Sequence, residues 1–166
     1  VSVIRVDTGA GRLCFGEIEM PCTIGRGGTC VVADKREGDG CTPLGLWPIR
    51  AVLLRPGKVE PEGIRLPWRW VREGDGWSDD PADPAYNRPV HLPRSYSAEN
   101  LLRDDDAYDV IVVLGHNDAP PVPGQGSAIF FHLSEGRSTA GCVAVEREDM
   151  LRLLPLLAAG DGMEIV

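Results

Sequence analysis

The chain has 166 residues, a formal net charge of −8 at pH 7, 43% hydrophobic residues and 25% charged ones. That length fits one domain, 1–166, which can bury a core without staples. The acidity excludes a nucleic-acid binder, which needs a basic face, and a protein held on an anionic membrane, and no apolar run approaches the ~20 residues that span a bilayer.

Abundant glycine and proline predict many turns, few long helices and a mainly β fold. Residues 1–6 alternate as a strand. Asp7 to Gly11 is a turn, and 12–15 with 17–20 read as a strand pair or one bent strand. Residues 22–28 run from a strand end into a Gly-rich turn. It is no phosphate loop, because the Gly-Lys-Ser/Thr ending and the following helix are missing; Arg26 reads as structural. Residues 35–49 are dense in turn formers, with Trp47 and Ile49 as anchors, so they form a specific loop and not a linker. A strand follows near 49–55, then a turn over 56–63.

Residues 67–94 crowd Trp68, Trp70, Trp77 and Tyr86 among prolines and Asp79, Asp80 and Asp83. The aromatics argue against disorder, so this reads as an ordered loop over one sheet face, near a cleft. Ser97 is a candidate N-cap for a short helix over 97–103. Residues 109–115 (Asp-Val-Ile-Val-Val-Leu-Gly) make the best central strand, buried on both faces. Strands follow at 127–133 and 142–145. Residues 146–159 predict the one clear helix, with acidic groups in its first turn, a stripe of Met150, Leu153, Leu154 and Leu157, and a cap at Gly160. Pro155 kinks or splits it. Residues 163–166 suit an edge strand.

Five cysteines stand at positions 14, 22, 30, 41 and 142, without CxxC or zinc spacing. Cys14, Cys22, Cys30 and Cys41 allow two disulfides in any of three connectivities, but read best as reduced, since a domain this size needs no stapling.

The chemistry concentrates in 127–145. His132 ends one strand and Cys142 opens the next, on either side of a small polar loop. In an extended strand Ala128, Phe130 and His132 share one face, and Ile129, Phe131 and Leu133 the other. Cys142 and Ala144 share a face likewise. Paired strands would set thiol and imidazole side by side, where the imidazole can take the thiol's proton or stabilise a thiolate. Gly141 permits close approach, and the amides of Gly141 and Cys142 could meet an oxyanion. The plain alternative is a strand-end histidine and a buried apolar cysteine. Other readings are a metal hydrolase using His116, His132 and Cys142, and a non-catalytic binding module.

Gly126-Ser127-Ala128-Ile129-Phe130-Phe131-His132 and Ser138-Thr139-Ala140-Gly141-Cys142-Val143, supported by Gly38-Asp39-Gly40, Thr42-Pro43-Leu44-Gly45, Asp79-Asp80-Pro81 and Tyr86-Asn87-Arg88, resemble the catalytic domain of YkuD-type L,D-transpeptidases. The resemblance covers most of 35–145. It implies two mixed sheets forming a flattened barrel or sandwich, and acyl transfer on peptidoglycan stem peptides. Cys142 would be the nucleophile and His132 the base, oriented by a backbone carbonyl in 134–139, with Ser138, Thr139 and Gly141 completing the catalytic loop. Trp77, Tyr86, Asn87, Arg88 and His116 are the candidate substrate-binding residues. The acceptor would be a meso-diaminopimelate amine, giving 3–3 or 1–3 cross-links, or water, giving a carboxypeptidase or endopeptidase. The resemblance implies no cofactor and no metal, a monomer, and a periplasmic or cell-envelope location; no export signal is visible, and a cytoplasmic one stays open. Two positions depart from the common Ser-His-Gly-Cys-Ile/Val-Arg motif: Ala140 replaces the His and Ala144 the Arg. The lost Arg removes a fixed cation that could hold a donor carboxylate.

Overall fold

β1 (Val3–Asp7) alternates as its sequence predicts, with Ile4 and Val6 buried and the other three side chains exposed, because successive side chains of a strand point to opposite faces. The computed structural model, which describes residues 1–166, continues with β2 (Arg12–Phe15), β3 (Ile18–Pro21), β4 (Thr29–Cys30), β5 (Thr42–Pro43) and the long β6 (Gly45–Leu54). Then come β7 (Trp68–Trp70), β8 (Asp75–Ser78), β9 (Pro89–His91), β10 (Ala98–Asn100), β11 (Val110–Leu114), β12 (Phe130–Leu133) and β13 (Val143–Val145). The single α-helix α1 (Arg147–Leu153) and β14 (Gly162–Ile165) end the chain.

The main sheet runs β13-β12-β11-β6-β14-β1-β2-β3, with β7 also paired to β6. β6 joins its halves: Gly45 to Pro48 pair with β14, and Ile49 to Leu54 with β11. The two expected sheets thus share one strand. Thr23, just past β3, exchanges backbone hydrogen bonds of 2.9 and 3.0 Å with Ala144 of β13, and Gly25 bridges to Thr139. These contacts nearly close the sheet into a barrel, leaving a mainly β fold.

The core lies inside it. Val110, Val112 and Leu114 of β11 point inward with Ile4, Leu13, Phe131, Val143 and Met163. Ile111 and Val113 point outward into a second cluster with Leu53, Trp77, Leu101, Tyr108 and Phe130. β11 is therefore buried on both faces, as its unbroken apolar run predicts.

Three expectations need correction. Residues 97–103 are not a helix: β10 pairs antiparallel with β8, Glu99 opposite Trp77. A stretch this short takes its conformation from its tertiary partners, and β8 offers it an open edge. Residues 67–94 are not all loop. They contain β7, β8 and β9, and Trp77 meets Phe130 edge-on at 5.1 Å, so the segment covers the outer face of the barrel. The C-terminal helix is shorter than 146–159. α1 stops at Leu153, and a 3-10 turn at Leu154–Leu156 holds Pro155, whose ring and missing N–H do not allow the helix to continue. The predicted stripe of Met150, Leu153, Leu154 and Leu157 is buried.

Candidate active site

β12 and β13 run parallel, His132 opposite Ala144. A parallel pair needs a crossover and not a tight turn, and the polar stretch 134–142 supplies it. Ile129, Phe131, Leu133, Val143 and Val145 enter the inner core, while Ala128, Phe130 and Cys142 join the outer cluster. His132 and Cys142 face the same side and line one open cavity of about 660 Å³.

The Cys142 thiol donates to Ala128 O at 3.2 Å and accepts the Phe130 N–H at 3.3 Å. Burial, reinforced by the Glu99 carboxylate, pushes this thiol up to about 12. Ala128 itself sits at φ 54°, a left-handed conformation unusual for alanine. Gly141 has φ 138°, and a Cβ there would lie 2.9 Å from Cys41 O, so this position requires glycine. Thr139 Oγ1 accepts the Gly141 N–H at 3.1 Å and donates to Cys142 O at 2.6 Å, bracing the turn. The Gly141 amide is therefore committed, which corrects the expectation of two free oxyanion donors. The Cys142 amide makes no hydrogen bond within the protein. Ser138 is exposed on the cavity rim.

His132 Nδ1 bonds to Leu133 O at 2.8 Å. The orienting carbonyl thus lies one residue before the expected 134–139 stretch. Because a carbonyl only accepts, the proton sits on Nδ1 and Nε2 stays free. Burial lowers the imidazole to about 4. Thiol and imidazole are both neutral at pH 7 and share no hydrogen bond with each other.

Tyr108 lies edge-on to His132 at 5.2 Å. Its hydroxyl donates to Glu99, and the Arg103 guanidinium lies 4.7 Å over its ring. Burial raises the Glu99 carboxyl. None of these three residues stood out in the sequence, because 97–103 reads as a helix; the available signal was an aromatic just ahead of the central strand. Arg26, read as structural, lines the same cavity with Arg137, and both are exposed and in no salt bridge. Asp79 lines it too, with Oδ1 buried and unpartnered.

The five expected substrate-binding residues do not reach this cavity. Asn87 is a buried hub: Oδ1 accepts the Trp77 Nε1–H at 2.9 Å and the Ala128 N–H at 3.1 Å, and Nδ2 donates to the carbonyls of His116 and Asn117. Tyr86 donates to Glu37 at 2.6 Å and accepts the Gly126 N–H at 2.9 Å. His116 stands edge-on to Trp47 at 4.9 Å, so His116, His132 and Cys142 do not gather as metal ligands. Arg88 donates to Asp118 O at 2.7 Å and borders a separate cavity of about 280 Å³.

The family model of the YkuD L,D-transpeptidase catalytic domain matches residues 2–165. The chain belongs to this family. No curated protein matches it. Among solved structures, Bd1075 of Bdellovibrio bacteriovorus is similar at TM-score 0.50 and 16% identity, over 99% of this chain and 47% of that one. An L,D-transpeptidase C442S mutant from Enterococcus faecium gives 0.48 at 12% identity, over 99% and 49%. One from Mycobacterium smegmatis gives 0.46 at 13%, over 99% and 58%. At 16% identity the likeness to Bd1075 is one of fold alone, and the YkuD chain spans about half the length of these structures. Its small side chain at Ala144, where the family motif has Arg, lies buried in β13 at the cavity wall.

Proposed function

We propose that this YkuD domain is a peptidoglycan L,D-transpeptidase with Cys142 as nucleophile and His132 as its base. The observation that carries the reading is the shared cavity, with a buried thiol and an imidazole whose Nδ1 is bound to Leu133 O and whose Nε2 is free. In the first step Sγ attacks a stem-peptide carbonyl at an L-centre as its proton passes to Nε2. A thiol held up at about 12 is a poor nucleophile until that transfer, so proton transfer and attack are coupled. The thiol turns from Ala128 O to do this, and the Phe130 N–H remains to steady the sulfur. The developing oxyanion takes the Cys142 amide. The imidazolium then returns its proton to the leaving amine, and a thioester forms.

A meso-diaminopimelate amine next attacks the thioester, giving its proton to Nε2, and the thiolate leaves and is reprotonated. Arg26 and Arg137 supply cations that Ala144 does not, suited to the donor carboxylates. Asp79 and Glu99 suit the acceptor amine. The site of action would be the periplasm or cell envelope, with stem peptides as the partner. The test is to incubate the protein with purified sacculi and weigh the muropeptides. Cross-linked dimers absent with Cys142→Ala support the reading; shortened monomers alone make it a hydrolase, and unchanged sacculi oppose it.

A further inference from the structure

Cys30 and Cys41 stand at the two ends of a loop whose ends backbone pairing already brings together. β4 and β5 pair in parallel, Thr29 opposite Thr42 and Cys30 opposite Pro43. The Thr42 N–H donates to Gly28 O and the Leu44 N–H to Cys30 O, each at 2.9 Å. The two sulfurs and an Asp39 oxygen lie within 4.8 Å of one another, all on half-buried residues. A change of χ1 rotamer moves a sulfur by up to about 3 Å, so side-chain rotation spans the gap.

The trio has the ligand types of a metal site, but Asp39 is already committed. Its Oδ1 takes Lys35 Nζ at 2.5 Å and the Cys41 N–H at 2.9 Å, and its Oδ2 takes the Arg36 N–H at 2.7 Å. A buried ammonium on that carboxylate repels a dication, and two thiolates alone fall short of the four ligands of a structural zinc site. Disulfide formation needs neither Asp39 nor a further ligand.

We propose that Cys30 and Cys41 form an intramolecular disulfide under oxidising conditions. The oxidant is a disulfide, either of a small thiol or of a thiol oxidoreductase. One cysteine thiolate attacks it, releasing one thiol and leaving a mixed disulfide. The second cysteine then displaces the other thiol, so two protein thiols are oxidised while one disulfide becomes two thiols. The loop so closed carries Lys35, Glu37 and Gly38 to the cavity, and Cys41 O abuts Gly141. The bond therefore pins one wall of the cavity beside Cys142 without involving Cys142. All five cysteines are free in the structure, as their sequence reading expects; the bond is a product of oxidation.

The test treats the folded protein with oxidised glutathione, blocks free thiols in denaturant and digests with trypsin without reductant. Cleavage after Arg26, Lys35, Arg36 and Arg50 yields fragments 27–35 and 37–50. The expected product is these two fragments linked, about 2 Da below their summed mass, and parted by reductant. Cys14, Cys22 and Cys142 carry the blocking group. The oxidised protein melts several degrees above the reduced one, and Cys30→Ser or Cys41→Ser abolishes both the linked fragment and the shift. Recovery of the two fragments separately blocked overturns the proposal, as does a stable glutathione adduct on either cysteine. Zinc retained in equimolar amount, with both thiols protected from the blocking reagent, overturns it in favour of a metal site.

Discussion

A neutral thiol beside a neutral imidazole reacts differently from a thiolate–imidazolium pair, and Cys142 and His132 are of the first kind. Burial moves them in opposite directions, Cys142 to about 12 and His132 to about 4, because neither charged form is solvated there. Alkylation of Cys142 by iodoacetamide should therefore be at least ~100-fold slower at pH 7 than that of an exposed thiol, and should rise about tenfold per pH unit up to pH 10. Mass spectrometry of the 138–147 fragment reads this rate; a plateau near pH 7 would mean a resident thiolate. Removing Arg26 and Arg137 together should raise KM about tenfold while the melting temperature stays within about 1 °C, since exposed, unpaired charges stabilise little. An unchanged KM assigns the donor carboxylate elsewhere. Sequence parity was enough to put His132 and Cys142 on one side, because a strand has a strict period of two. It could not show that Arg26 lines the same cavity, since that placement depends on Gly25 bridging to Thr139 across the barrel seam.

Trp77, Tyr86 and Asn87 of the 77–88 region hold the frame of the site from outside the Cys142 cavity. Asn87 ties β8, through Trp77, to the Ala128 amide and to the loop carbonyls of His116 and Asn117. Its own φ of 56° suits asparagine better than most residues. Asn87→Ala leaves two buried donors and two carbonyls without their partner, at about 1–3 kcal/mol each before relaxation. The melting temperature should fall by about 10 °C, and Ala128 O should lose its fixed position beside Sγ. A melt unchanged within about 1 °C would show that water replaces the side chain. Tyr86, Asn87 and Arg88 were legible as a motif, but a motif does not say whether its side chains face substrate or the neighbouring loop. β10 was illegible for a related reason: Ser97 as a cap with Ala98 and Glu99 after it favours a helix locally, and only the edge of β8 makes 98–100 a strand.

At the scale of the whole molecule the fold was largely legible, because β1 and β11 carry their burial patterns openly and Pro155 marks the end of the helix. The joining of two sheets through β6 was not, since nothing local says that one strand changes partners halfway along. The fold has a consequence for pH. Burial lowers both His116 and His132 to about 4 from an ordinary 6.5. The unfolded chain takes up protons below about pH 6.5 and the folded one does not until about pH 4, so acid favours unfolding in between. This stabilisation is complete above pH 6.5 and lost as the pH falls to 4, by about 2–3 kcal/mol per histidine. Urea unfolding at pH 7.5 and 4.5 should show that drop, and His116→Phe, which removes an unpartnered Nδ1, should lose part of it; an equal drop in the variant would contradict the assignment. The central claim, that Cys142 carries the acyl group, is met most directly by mixing the protein with a purified tetrapeptide muropeptide, quenching in acid and weighing the 138–147 fragment. A thioester-linked acyl adduct is expected on that fragment in the parent protein and none in Cys142→Ala, which should also make no product. Product formed by Cys142→Ala at the parent rate would contradict it.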